Sequence, residues 1–211
     1  MTKPQKLTPA LLRKAETHLS QSDRVMAKLI NTHGPCTLNR RSFDLFHTLV
    51  VSIISQQLSA KASDTIERRI AECVPYPFNA EEMVCVSPER LREAGLSSRK
   101  VAYIQGLAER VNAGSLTYEA LAGKENEEAV ATLMEIPGIG RWTAEMFLIF
   151  GLKRPDVLAL GDAGLQRAAK MLYPKADSNG NTLEKVSKRW KPYRSVASWY
   201  LWRHIDGGGE K

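Results

Sequence analysis

Phe43, Phe46, Leu49, Val50, Ile53 and Ile54 recur at spacings of three and four. That period fits the helical turn and excludes the two-residue alternation of a half-buried strand. It returns in Ile66 and Ile70, and again in Val101, Ile104, Leu107 and Val111. No stretch alternates convincingly. Capping residues punctuate the pattern. Thr8-Pro9 opens a helix that should run to about residue 19, and a second helix should cover 23–32. Ser59 caps a helix with Ala62, Ile66 and Ile70 inward; SPERLREAGL is a short helix stopped at Gly95; Ser97 or Ser98 caps the next. Further helices are expected over 126–136, 141–150, 163–172 and from after Pro192 to about residue 204. HGPCTLNRRS and VPYPFNA read as loops, RPDVLALGD as extended, and the tail DGGGEK as frayed. The expected fold class is therefore all-α, with about ten short helices. That is more than one bundle usually holds, so two helical lobes with a cleft between them are expected. One would span 41–151. The other, discontinuous in sequence, would combine 1–40 with 152–211.

Composition narrows the partner. The formal net charge of +7 and a sequence pI near 9.4 favour a polyanion such as nucleic acid, or an anionic membrane surface. The N-terminal segment MTKPQKLTPALLRKAE has no apolar signal core, and no apolar stretch approaches a membrane span. Cys36, Cys73 and Cys85 are odd in number and form no CxxC pair, which argues against a zinc site or a disulfide framework. A reducing compartment fits, cytoplasmic in a prokaryote or nuclear in a eukaryote. No spare apolar helix face demands a second copy, so a monomer is expected.

Two features carry chemistry. In IPGIGRWTAEMF, residues 136–147, the link between two helices is only PGIG. Glycine accepts positive φ and close approach. The amides that open the second helix lack intrahelical partners and sit at the positive end of its dipole. Gly138, Ile139, Gly140, Arg141 and Thr143 thus form a candidate anion site for a phosphate oxygen. A tight turn with no ligand fits the same residues. Outward-pointing carbonyls of the turn could also take a structural monovalent cation. The second feature is Asp162, in LALGDAGLQRAAK. Gly-Asp before a helix is an ordinary N-cap, and a catalytic carboxylate is the alternative.

Taken together, the hairpin LMEIPGIGRWTAEMF, the short extended segment and the aspartate at a helix start resemble the HhH-GPD superfamily of DNA base-excision glycosylases. IISQQLSAKAS, GLSSRKVAYIQGLA and RWKPYRSVASWYLWR add a resemblance to the AlkA-type 3-methyladenine DNA glycosylases, in the family's order, over about residues 43–202. The resemblance implies a helix-hairpin-helix that grips duplex DNA by its backbone without reading sequence. It implies removal of alkylated bases, 3-methyladenine and related N-alkyl purines, from flipped-out nucleotides, with Asp162 as the catalytic carboxylate. Relatives that also cut the backbone carry a lysine where this chain has Trp142, so no AP lyase activity is expected. Trp142 and Trp202 are implied base-pocket walls; Met146 stands where relatives carry an aromatic, which bears on pocket breadth. A core aromatic is the other reading of Trp142. Trp190 and Trp199 read as packing residues. Gln57, then Leu58, with Gln56 beside them, occupy the family's gap-filling position, unless they are a solvated helix end. Arg99 and Lys100 are further phosphate contacts or a solvated face. No cysteine follows Cys85, so the iron–sulfur cluster of some relatives is not expected, and neither is a catalytic metal. Alternatives are a same-fold glycosylase for uracil or oxidised bases, or a non-catalytic damaged-DNA-binding protein.

Overall fold

The computed structural model describes residues 6–40, 44–179 and 181–207. Phe43, the first residue of the apolar stripe, the end of the loop at 41–42, and residues 208–211 of the tail lie outside the described residues. Among those described, the chain is all-helical, without a strand. It divides into two compact units: residues 44–152, and residues 6–40 together with 153–207.

The first unit holds α3 (Leu45–Ser55), α4 (Ala60–Ile70), α5 (Ala80–Cys85), α6 (Pro88–Glu93), α7 (Ser98–Asn112), α8 (Tyr118–Ala122), α9 (Asn126–Met134) and α10 (Arg141–Met146). Helix α3 is expected to be amphipathic, yet nine of its eleven residues are buried. It is the central rod of this unit, with α4, α7, α10 and the turn after α10 packed around it. A helix apolar on most faces is stable only when surrounded in this way. Its polar members have partners: His47 is 2 % exposed, and its Nδ1 accepts from the Phe78 N–H at 3.0 Å. Burial lowers the His47 pKa from its ordinary value. The continuous helix expected over 141–150 changes character instead. After Met146 the backbone widens into one π turn, Phe147–Gly151. Packing explains the need for Gly151, since a Cβ there would lie 2.5 Å from the Phe147 ring.

The second unit holds α1 (Pro9–Ser22), α2 (Arg24–His33), α11 (Ala163–Leu172), α12 (Thr182–Ser187) and α13 (Arg194–Ile205). Helix α13 is its core, with α2 and α11 packed on it and α1 nearby. Asp23 is the N-cap of α2 rather than its first residue. Its Oδ1 accepts from the amides of Val25 and Met26 at 2.8 and 3.4 Å. Its Oδ2 accepts from Tyr173 Oη at 2.9 Å and from Trp190 Nε1 at 3.0 Å. Trp190 is fully buried, the packing role read for it; Trp199 is half-buried, edge-on to Tyr200.

Candidate nucleic-acid interface and catalytic carboxylate

The link between α9 and α10 folds as the sequence demands. The Ile139 amide donates to the Ile136 carbonyl at 3.0 Å, closing a turn with Pro137 and Gly138 at its centre. Proline suits the second turn position, and glycine suits the third when φ is positive; Gly138 has φ +87°. Ile136 and Ile139 are buried and anchor the turn, while Pro137 and Gly140 are exposed. Gly140 is the N-cap of α10, which has no side-chain capping bond. The two glycines have different tasks. A Cβ on Gly138 would sit 2.2 Å from Tyr103 Cδ2 on α7, whereas nothing lies within 4 Å of one on Gly140. Gly138→Ala should therefore cost about 2 kcal/mol of stability. Thermal melting should register a loss of about 4–8 °C, while Gly140→Ala, which meets no side chain but caps α10 less well, should lose about 1–3 °C. Equal melting of the two variants would remove Tyr103 as the reason for Gly138.

A cavity of about 830 Å³ opens in front of this hairpin. Gln56, Gln57, Ser97, Arg99, Lys100, Tyr103, Trp142 and Thr143 line it with the turn itself. Several residues expected to meet DNA directly turn out to have other work. Gln56, read as a gap-filling candidate, acts as a brace in this structure: its Nε2 donates to the Gly138 carbonyl at 2.9 Å and to Thr143 Oγ1 at 3.0 Å. Thr143, 2 % exposed, supports Gln56 rather than offering its hydroxyl to solvent. Ile139 is 4 % exposed and its amide donates within the turn. The Arg141 guanidinium is held by two carboxylates, Glu127 at 2.7 Å and Glu145 at 3.4 Å. The Arg141 bond keeps the Glu127 carboxyl below its ordinary pKa. Lys100 Nζ donates to the carbonyls of Ile54 and Gln56 at 2.7 and 2.8 Å. It caps the C-terminal end of α3, where a cation meets the negative end of the helix, and burial lowers its pKa. Arg99 is exposed at the rim.

Gln57 is exposed, with φ +59°, a conformation an L-residue with a side chain rarely takes. Leu58 follows, 40 % exposed. Trp142 is half-buried on the cavity wall. Met146, one turn further along α10, is 6 % exposed and does not line this cavity.

The second unit builds a separate arrangement around Asp162. The extended segment after Arg154 is stitched to α13 at both ends. At its start, Asp156 accepts two bonds from the Arg194 guanidinium, at 2.7 and 2.9 Å, and the Val157 amide donates to Ser195 Oγ at 2.9 Å. At its end, Asp162 caps α11 through Oδ1, accepting from the Leu165 amide at 2.7 Å. The same Oδ1 accepts from Trp202 Nε1 at 3.1 Å. Two donors on one oxygen fix the carboxylate plane. Glycine suits the position beside it, because a Cβ on Gly164 would crowd Asp162 Oδ1 and Ile205 Cδ1, each at 3.1 Å. Trp202 is thus an orienting partner of Asp162 as well as the ring candidate read from the sequence. The N-cap reading of Asp162 is correct as geometry and leaves the carboxylate half-buried, not sealed.

The family described as HhH-GPD superfamily base excision DNA repair protein matches residues 50–192, a span that takes in both the hairpin and Asp162. The chain belongs to this superfamily. It is 35 % identical to DNA-3-methyladenine glycosylase 1 of Schizosaccharomyces pombe, over 91 % of this chain and 87 % of that one. Among solved structures it is similar to the DNA-3-methyladenine glycosidase of Bacillus halodurans, with 39 % identity, a TM-score of 0.75, and coverage of 95 % of this chain and 91 % of that one. It is also similar to the S. pombe 3-methyladenine DNA glycosylase Mag1 in complex with abasic DNA, with 32 % identity, a TM-score of 0.81, and coverage of 94 % and 100 %. Membership places the all-α architecture and the hairpin in a DNA-repair setting. Among the described residues no helix is long and apolar enough to cross a membrane.

Sequence reasoning missed five participants: Tyr103 beneath Gly138, Lys100 as a cap, Glu127 and Glu145 on Arg141, and Gly164 beside Asp162. Only the Arg141–Glu145 spacing, four apart on one helix, left a trace that could have been read.

Proposed function

We propose that this chain is a monofunctional DNA glycosylase of base excision repair, hydrolysing the N-glycosidic bond of alkylated bases, with 3-methyladenine and related N-alkyl purines as substrates. The observation that carries the reading is Asp162, held at the start of α11 by Leu165 and Trp202 in a chain of this superfamily. The S. pombe and B. halodurans relatives, both named for 3-methyladenine, support the substrate class.

The chemistry follows from the bond. Cleavage builds positive charge on the sugar, as in glycoside hydrolysis. A fixed carboxylate beside the anomeric carbon stabilises that charge without reorganising at the moment of reaction. An N-alkylated purine is already cationic and leaves easily, so a strong general acid is not required. Electron-rich rings attract such a base; Trp202 offers one beside Asp162, and Trp142 offers one on the wall of the hairpin cavity. The buried Met146 would act from behind the wall, through shape alone. DNA would be gripped at the exposed start of α10, through Gly140 and the amides that follow, with Gly138 shaping the turn and Arg99 adding charge at the rim. Gln57 and Leu58 would fill the gap left by the flipped nucleotide. The protein would act as a monomer on damaged double-stranded DNA, in the cytoplasm of a prokaryote or the nucleus of a eukaryote. No cofactor enters this scheme. A monovalent cation at the turn would have to share the Gly138 carbonyl with Gln56.

Base release from methylated duplex DNA, identified chromatographically, tests the reaction. Free 3-methyladenine is the expected product. Borohydride added during turnover should trap no protein–DNA adduct, because tryptophan at 142 cannot form a Schiff base. A trapped adduct would overturn the monofunctional assignment. No released base, with duplex binding retained, would sink the substrate class, and uracil and oxidised bases would be tried next.

A further inference from the structure

Gln56 is fixed at three atoms. Its amide N–H donates to the Ile53 carbonyl at 3.3 Å, its carbonyl accepts from Lys100 Nζ at 2.8 Å, and its side-chain amide donates to Gly138 and Thr143. The next residue, Gln57, has φ +59° and an exposed side chain. A left-handed non-glycine residue is strained and persists only where its surroundings dictate it. Here the surroundings are the bonds of Gln56 together with the Leu58 amide, which donates to the Ser55 carbonyl at 3.1 Å and closes a turn with Gln56 and Gln57 at its centre. One of the Gln56 bonds ends on the carbonyl of Gly138, the glycine whose positive φ shapes the hairpin turn. The chain at residue 56 and the chain at residue 138 are thereby bonded directly to each other.

We infer that Gln56 is a positioning residue for base eversion, tying the α9–α10 hairpin to the strained backbone that presents Gln57. The inference rests on the proposed glycosylase reading. Gln56 touches no substrate in this scheme. It makes the grip on the backbone and the filling of the stack cooperative: a hairpin seated on DNA holds the Gly138 carbonyl, and through Gln56 holds the tip in its left-handed form. Lys100 is the second strut, pulling the Gln56 carbonyl towards α7.

A double-mutant cycle tests this. Gln56→Ala, Gln57→Gly and the double variant are compared with wild type for single-turnover base release from methylated duplex, and for the fluorescence of a 2-aminopurine placed beside the lesion. Each single variant should lose about 10-fold in rate. Glycine at 57 takes φ +59° without strain and has no side chain to insert, so in that background loss of Gln56 should cost no more than about 2-fold further. Affinity for undamaged duplex should stay within about 2-fold throughout, since phosphate contacts supply it. Gln56→Glu keeps length and loses the donor, so it should fall with Gln56→Ala; recovery by Glu would mean that Gln56 only fills space. Multiplicative losses in the double variant, or a wild-type rate for Gln56→Ala, would overturn the inference. Wild type that releases no base would count against the glycosylase reading alone, and the 2-aminopurine signal would then decide the coupling by the same comparison.

Discussion

Asp162→Asn lowers base release from methylated duplex DNA by at least about 10²-fold and leaves DNA affinity and melting temperature close to wild type. The substitution separates the two roles of this residue. Asparagine is as good an N-cap as aspartate, and its Oδ1 can keep the bonds from the Leu165 amide and Trp202 Nε1. Helix α11 therefore starts where it did, and the segment before it stays pinned to α13. What disappears is the negative charge that the proposed mechanism sets next to the sugar in the transition state. Single-turnover rates with saturating enzyme are the measurement, because they report the chemical step and not product release. A residual rate within 10-fold of wild type would remove Asp162 as the carboxylate that stabilises the sugar cation.

The largest loss of stability is expected at a residue with no part in the chemistry. Asp23→Ala strips acceptors from two α2 amides, from the Tyr173 hydroxyl and from the indole N–H of fully buried Trp190. Donors left unsatisfied inside a protein cost about 1–3 kcal/mol each, partly relieved by relaxation. A total of about 3 kcal/mol is expected, which lowers the melting temperature of a domain this size by roughly 6–12 °C. Asparagine does not rescue the site. With one oxygen capping α2, its NH₂ faces two further donors. A melting temperature within 2 °C of wild type for the alanine variant would show that water replaces the carboxylate cheaply.

What the sequence made legible was local. Thr8, Ser59 and Ser97 each cap the helix they were expected to cap, because a cap needs only residues three apart. The type of turn at Pro137-Gly138 was legible for the same reason. The Gln56 brace was not. Its partners lie 82 and 87 residues away, and a polar residue at a helix end looks the same whether it faces water or another loop. Arg141 reads as a phosphate ligand until Glu127, fourteen residues earlier, is found across the hairpin. Helix α3 has the period of an amphipathic helix, but its few polar positions, His47, Thr48 and Ser52, find partners inside the protein rather than water. Periodicity reports which residues want to be inside, and it is silent on how many sides of a helix the neighbours will cover. Asp162 shows the opposite limit: its cap is local and readable, while Trp202, forty residues on, is not.

The order in which the second unit is built has a consequence during synthesis. Asp23 reaches the ribosome exit early, but its partner Trp190 is 167 residues further on. At about 5–20 residues per second, helices α1 and α2 wait roughly 8–35 s before the surface that covers them exists. The hairpin unit between them is complete well before that. A nascent chain therefore acquires the half proposed to grip DNA first, while the acidic cap of α2 and the apolar faces of α1 and α2 are exposed to chaperones and proteases. The carboxylate read as catalytic is locked last, when α13 emerges and Trp202 closes on Asp162. An incompletely made chain would have the means to hold DNA before it has the means to cut a base from it.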